Sequence, residues 1–139
     1  MSTIRSAEVA DLSPVLALWR VAESLPSATD SELALRQLLR RDPESLFVAL
    51  SDEEIVGSLI AAWDGWRGSF YRLAVHPKWR RQGIAIALVR AGEERLRALG
   101  AVRLTAIVAS EERAAMDLWA AAGYEHQADT SRFVRMLES

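Results

Sequence analysis

The stretch from Phe70 to Val108 constrains the fold of this chain more than any other. Phe70–Val75 is apolar and strand-like, while His76–Gly83, which follows it, is polar and basic. A long helix comes next, with Ile84, Leu88, Gly92, Leu96 and Leu99 recurring at helical spacing along one face. Its outer face sets Arg90 four residues before Glu94 and Glu93 four before Arg97, a spacing that suits ion pairs. Gly100 stands just past the last apolar position as a helix stop, and Val102–Val108 reads as another strand. Strand, helix and strand in that order demand a right-handed crossover, which sets the two strands parallel. The chain is thereby committed to an α/β architecture.

The remaining segments fill in the layers. Thr3–Ser6 reads as an edge strand. Asp11 is placed to cap a helix in which Pro14 is tolerated in the first turn and Leu12, Val15, Leu18, Trp19 and Ala22 share a face. Leu25–Pro26–Ser27 ends it. Asp30 is a second cap, before Leu33, Ala34, Leu38 and Leu39, and Asp42–Pro43 closes that helix. Leu46–Leu50, Ile55–Trp63 and Phe70–Val75 read as an antiparallel meander joined by polar turns at Ser51–Glu54 and Asp64–Gly68. Gly57 inside the middle strand marks a bulge or a close packing contact. Glu111–Ala122 is a last helix stopped by Gly123, and Tyr124 with Arg132–Leu137 reads as a closing strand pair. The expectation is one α/β domain over residues 1–139, a mixed twisted sheet of about six or seven strands with four helices.

Composition narrows the function. With 139 residues, half of them hydrophobic, the chain can bury a core without staples. It has no cysteine, hence no disulfide framework, no Cys-zinc site and no thiol nucleophile. Two histidines, His76 and His126, leave little for a metal site, and none is expected. A net charge of −2 argues against a general nucleic-acid binder. The charges at Arg5, Glu8 and Asp11 fit no signal peptide, and no apolar run approaches a membrane span, so a soluble cytoplasmic protein is expected. Lys78 is the sole lysine, so a positive patch must be built mainly of guanidinium groups, which suit phosphates.

The basic loop is such a patch. Trp79–Arg80–Arg81–Gln82–Gly83 runs straight into a helix N-terminus, where unpaired N–H groups and a partial positive charge favour an anion. A phosphate site and a merely solvated turn both fit this pattern. Neither G-x-x-x-x-G-K-[ST] nor G-x-G-x-x-G is present, so neither familiar nucleotide fingerprint is responsible.

The run Leu73–Ala74–Val75–His76–Pro77–Lys78–Trp79–Arg80–Arg81–Gln82–Gly83–Ile84–Ala85 resembles motif A of the GCN5-related N-acetyltransferase (GNAT) superfamily. The core [Q/R]-x-x-G-x-[G/A] is matched by Arg80, Gly83 and Ala85, and Leu118–Trp119–Ala120–Ala121–Ala122–Gly123–Tyr124 is similar to a later family segment. The resemblance implies acetyl-CoA as donor. It implies that backbone at Arg81, Gln82, Gly83, Ile84 and Ala85 holds the pyrophosphate, with Arg80 beside it. It also implies that Leu73, Ala74 and Val75 pair with the pantetheine arm while Leu104–Val108 splays away. An unpaired strand edge wants a partner, and an amide-bearing arm supplies one.

Transfer to an amine needs a neutral nitrogen, a stabilised oxyanion and a leaving thiolate. The resemblance implies an oxyanion donor near Val75. It also implies a tyrosine in the last helix that protonates sulfur, but Trp119 stands at that position and Glu112 where the family has asparagine. Indole only donates a hydrogen bond and is no practical acid. Thiolate, from a thiol with pKa near ~8.5, leaves tolerably without one. Tyr124 falls at a packing aromatic. Base candidates are Asp64, Glu23, Glu112, His76 and Tyr71; the last shares a face with Leu73 if its strand is regular. Trp63, Trp66 and Arg67 crowd the turn around Asp64, so this hairpin is expected to border the acceptor site.

The implied function is acetyl-CoA-dependent N-acetyltransfer to a primary amine, on a small molecule or a protein, by direct attack in a ternary complex. With no cysteine, a covalent acetyl-cysteine intermediate is excluded. The alternative is a non-catalytic acyl-CoA-binding regulatory domain, which the Trp119 and Glu112 departures favour. Neither nucleic acid nor membrane is an expected partner. The terminal Arg132–Leu137 strand is compatible with a homodimer and with a monomer alike.

Overall fold

The structure, a computed structural model, describes residues 2–22 and 27–137. It comprises two compact units, residues 1–107 and 108–139. The first unit runs β1 (Ser2–Ser6), α1 (Leu12–Val21), α2 (Glu32–Arg41), β2 (Leu46–Ser51), β3 (Glu54–Trp63), β4 (Gly68–Val75), α3 (Ile84–Leu99) and β5 (Leu104–Ala106). These strands form one sheet in the order β1-β2-β3-β4-β5. The first four are antiparallel, and β5 joins β4 in parallel through the α3 crossover.

Alternation along β3 sorts the two helical layers. Ser58 and Ile60 face α1 and α2, whose Leu12, Val15, Leu18, Trp19, Leu35 and Leu39 form a core with Leu46, Val48 and Ala74. Gly57, Leu59 and Ala61 face α3, which buries Ile84, Leu88, Val89, Gly92 and Leu96. Gly57 serves both expected roles. A Cβ there would stand 3.0 Å from Ile84 and 3.1 Å from Leu88, and the β2/β3 register slips beside it at Ala49/Leu50. Gly92 lets α3 approach the sheet, since a Cβ there would lie 2.7 Å from the Phe70 ring. The β2–β3 turn holds Asp52 and Glu53 at φ of 50° and 67°, the handedness that matches strand twist in a two-residue hairpin.

Several details differ from the sequence expectations. Asp11 does not cap α1 with its side chain. It closes a short 3-10 turn, Val9–Asp11, accepting from the Glu8 N–H at 2.8 Å and pairing with Arg5. Ser31, not Asp30, caps α2 by accepting from the Ala34 N–H at 3.1 Å, because Asp30 is drawn to Arg72. Leu33 and Leu99 are not core residues. Leu99 keeps the angle of the buried stripe, about 60° round from Ile84, but it is the last residue of α3 and is left exposed at the helix end. The outer-face charges pair as Arg90–Glu93 and Arg97–Glu94, three apart rather than four. The expected strand Val102–Val108 is reduced to Leu104–Ala106. The end of α1 at Leu25–Pro26 lies outside the described residues.

The second unit holds α4 (Arg113–Ala121), closed by Gly123 at φ 101°. Its Trp119 is buried and meets Tyr124 edge-on, 5.0 Å between ring centres. Tyr124 and Arg132–Leu137 form no strand pair, so the described residues make five strands and four helices. Alternating apolar residues suit a strand, but a strand also needs a hydrogen-bonded neighbour, and Phe133 here is 95% exposed.

Candidate active site

Two ends of β4 build the candidate site. At its N-terminal end β4 pairs with β5 over three residues only, Gly68↔Leu104 to Phe70↔Ala106. From Tyr71 to Val75 the ladder on that side has ended, leaving an edge of about 16 Å at strand rise. Backbone N–H and C=O groups on such an edge are ready to pair with an extended ligand. Leu73, Ala74 and Val75, which the motif resemblance assigns to the pantetheine arm, lie in this stretch.

At its C-terminal end β4 leaves the sheet through the basic loop. The His76 N–H donates to the Val56 carbonyl at 2.8 Å, and His76 Nδ1 accepts from the Lys78 N–H at 3.1 Å. His76 therefore caps the turn Pro77–Trp79. Arg81 and Gly83 both adopt left-handed backbone, at φ of 64° and 81°, on either side of Gln82. Backbone of this kind folds successive N–H groups toward one concavity. No side chain caps α3, and its first helical bond runs from Ala87 to Gly83, so the amides at Ile84 and Ala85 remain to meet an anion. Space around Gly83 is open, with nothing within 4 Å of a Cβ built there. The left-handed loop, uncapped helix and open approach fit a pyrophosphate.

Arg80, which the motif resemblance sets beside the pyrophosphate, is bonded within the protein. Its guanidinium donates to the Val75 carbonyl at 3.2 Å and to the Ala22 carbonyl at 3.3 Å. It ties the loop to β4 and to the end of α1, while the exposed Arg81 and Lys78 supply charge at the loop surface.

The base candidates separate by their bonding. Asp64 Oδ1 accepts from the Trp66 N–H at 2.8 Å and the Arg67 N–H at 2.7 Å, which closes the β3–β4 hairpin. Those bonds, Arg67 first and Trp66 second, hold its carboxyl below the usual carboxylate range. A base working near neutral pH needs the opposite, so Asp64 belongs to the turn. Trp66 is 67% exposed and carries the Arg67 guanidinium 4.0 Å above its ring. Tyr71 is exposed on β4 opposite Ile60 and shares the α1/α2 face of the sheet with Ala74, three residues on. It therefore does not share a face with Leu73, because a bulge interrupts the alternation. Glu112 precedes α4 and makes no side-chain cap; it and Trp119 belong to the second unit. Glu23 lies outside the described residues.

The bulge was not anticipated. Between Ser58↔Ala74 and Ile60↔Tyr71, two residues of β3 step against three of β4, and Arg72 sits in the slip at φ 56°. A left-handed conformation costs a residue with a Cβ about 1–2 kcal/mol, so the surroundings must hold it. They do. The Arg72 carbonyl accepts from the Ser58 hydroxyl at 3.2 Å, and Ser58 accepts from Trp19 Nε1 at 2.8 Å. The guanidinium pairs with Asp30 at 2.6 Å and lies 5.2 Å from the centre of the Trp19 ring. No local pattern signals these contacts, whose partners stand 14 to 53 residues apart in sequence.

Comparison with known proteins agrees with this geometry. Residues 12–124 match the model of the acetyltransferase (GNAT) family. An acetyltransferase of Yersinia enterocolitica is 36% identical over 89% of this chain and 88% of its own length. One from Pectobacterium atrosepticum is 36% identical over 83% and 82%. Among solved structures, the PaiA N-acetyltransferase of Thermoplasma acidophilum in complex with coenzyme A superposes with TM-score 0.81 over 94% of this chain and 93% of that one, at 15% identity. Ard1 from Thermoplasma volcanium gives 0.82 over 91% and 84%, at 20% identity. A strand edge left open beside a left-handed loop at a helix entrance, a matched family model across most of the chain, and relatives of near-equal length converge: this chain belongs to the GNAT acetyltransferase family.

Proposed function

We propose that the protein is an acetyl-CoA-dependent N-acetyltransferase acting on a primary amine, and that residues 1–139 work as one GNAT domain. The family match spans both compact units, which supports the second point. The observation that carries the first is the unpaired Tyr71–Val75 edge leading directly into the uncapped entrance of α3. Amides at Arg81, Gln82, Gly83, Ile84 and Ala85 bind the pyrophosphate, and Leu73–Val75 bind the pantetheine arm. Acetyl-CoA, when bound, supplies the thioester that the amine attacks. Backbone N–H groups of β4 where the arm ends, at the bulge rather than near Val75 as the motif resemblance implied, meet the charge that develops on the acyl oxygen. Tyr71, exposed on the acceptor face of β4, receives the amine by hydrogen bond. Among the described base candidates of the first unit, Asp64 and His76 are held in turns, so the amine enters neutral or loses its proton to water. Trp119 stands where the family has a tyrosine, and an indole is no practical acid, so sulfur leaves as thiolate without one.

Replacement of the usual tyrosine by the buried Trp119 favours a second reading, a domain that binds acyl-CoA and transfers nothing. One experiment separates the two. The protein is incubated with acetyl-CoA and a panel of primary amines across mildly alkaline pH, and free CoA thiol is measured. Amine-dependent release above background, rising as the amine deprotonates, is expected. Binding of CoA with no amine-dependent release would establish the regulatory reading, and failure to bind CoA would overturn both.

A further inference from the structure

The β4 bulge lies at the end of the open edge farthest from the phosphate loop. The pyrophosphate site is at Gly83, beyond Val75, and the edge runs back from there to Tyr71, where pairing with β5 resumes. An extended arm anchored at the loop therefore carries its acyl end to Tyr71 and Arg72. At that point the backbone departs from strand geometry, and the residue that departs is an arginine with φ 56°.

A left-handed bulge is ordinarily assigned to glycine, which enters that conformation without steric cost. Here a long cationic side chain is retained at the slip, and it is held at several points. Its charge is matched by Asp30 at 2.6 Å, and both side chains are largely removed from solvent. Its guanidinium lies against the face of Trp19, while the same indole reaches the Arg72 carbonyl through the Ser58 hydroxyl. Side chain and carbonyl of one residue are thus both referred to Trp19. Asp30 is itself fixed by the Ser27 N–H at 3.1 Å, just before Ser31 caps α2. Neighbours from α1, β3 and the start of α2 converge on one strained backbone position.

We propose that Arg72 is a positioning residue for acetyl transfer: its clamp by Asp30, Trp19 and Ser58 sets the direction of the β4 amides that receive the acyl carbonyl. The proposal rests on the acetyltransferase reading given above. The clamp acts on the acyl end alone. Phosphate and pantetheine are held by the loop and by the strand beyond the bulge, so free CoA is indifferent to it.

The test compares the affinities of CoA and acetyl-dethia-CoA, in which CH2 replaces the thioester sulfur, so that the carbonyl keeps its place and no scissile thioester remains. Calorimetry is run on the wild type, Arg72→Gly, Arg72→Lys and Asp30→Asn. Glycine accepts the left-handed backbone but removes the clamp. Arg72→Gly is expected to lose about tenfold in affinity for the carbonyl analogue, the scale of one hydrogen bond, with CoA affinity within about twofold of wild type. Arg72→Lys keeps the charge opposite Asp30 and recovers part of the loss; Asp30→Asn falls on the side of Arg72→Gly. CoA affinity is also the control for folding. If Arg72→Gly weakens both ligands by one factor, Arg72 is merely structural and the proposal is overturned. Unchanged affinity for both overturns it equally. If the wild type binds neither ligand, the acetyltransferase reading itself fails, an outcome distinct from either.

Discussion

Ser58 links Trp19 to the β4 bulge, and its removal has a calculable effect. The side chain is fully buried, accepts from Trp19 Nε1 at 2.8 Å and donates to the Arg72 carbonyl at 3.2 Å. Ser58→Ala deletes one oxygen, so lost packing is minor. The main consequence is that the buried indole N–H has no acceptor. Leaving a buried donor unsatisfied costs about 1–3 kcal/mol, whereas surface substitutions stay within about 0.5 kcal/mol. The Arg72 carbonyl also loses a donor at a position that is already strained, which places the expected loss near 2 kcal/mol, or about 6–8 °C in Tm for a chain of this size. Urea unfolding followed by far-UV circular dichroism measures it, with an unchanged slope showing that the denatured state is the same. A double-mutant cycle isolates the cause. Once Trp19→Phe has removed the indole N–H, Ser58→Ala should cost about 1–2 kcal/mol less than it does alone. A loss below about 0.5 kcal/mol, or strict additivity in the cycle, would refute the reasoning.

Other perturbations test separate parts of the fold. Gly83→Val meets no neighbour within 4 Å but must adopt φ near 81°, so it should cost about 1–2 kcal/mol of stability and leave the fold intact. Its branched side chain stands where an anion approaches the α3 amides, and stabilisation by CoA in a thermal-shift assay should vanish; a wild-type shift would contradict the loop assignment. Gly92→Val forces a branched side chain onto Phe70, 2.7 Å from the built Cβ, and should destabilise by about 2–3 kcal/mol in urea; a neutral result would mean that α3 does not lie as close as described. The Arg5 hydrogen bond, opposed in part by desolvation, holds the Asp11 carboxyl below its ordinary 3.8. Because the folded value is the lower one, this pair stabilises above that pH and its contribution is lost as pH falls through the folded value. Arg5→Ala should therefore lower the urea midpoint near neutrality and converge on wild type as pH falls below the folded value, and parallel curves throughout the acid range would rule the linkage out.

Much of the site was legible because its signals are local. The loop motif from Arg80 to Ala85 is contiguous, and the glycine at position 83 is where the backbone turns left-handed. The meander followed from three apolar runs separated by polar turns. The misreadings share one cause, a partner remote in sequence. Asp30 looked like a helix cap because Arg72, 42 residues on, is not visible from its neighbours. Tyr71 was placed with Leu73 because a regular strand was assumed, and only pairing with β3 reveals the slip. The contacts of the Arg80 guanidinium with the Val75 and Ala22 carbonyls are likewise invisible in the motif.

By itself, the sequence determined the order of elements as far as α4 and the parallel crossover, since periodicity and glycine conformation act over a few residues. Tertiary structure decided how long β5 runs, where β4 breaks step, which residue bears the strain and what holds it. Those outcomes depend on ladder register and on buried polar partners, which exist only once distant segments have met.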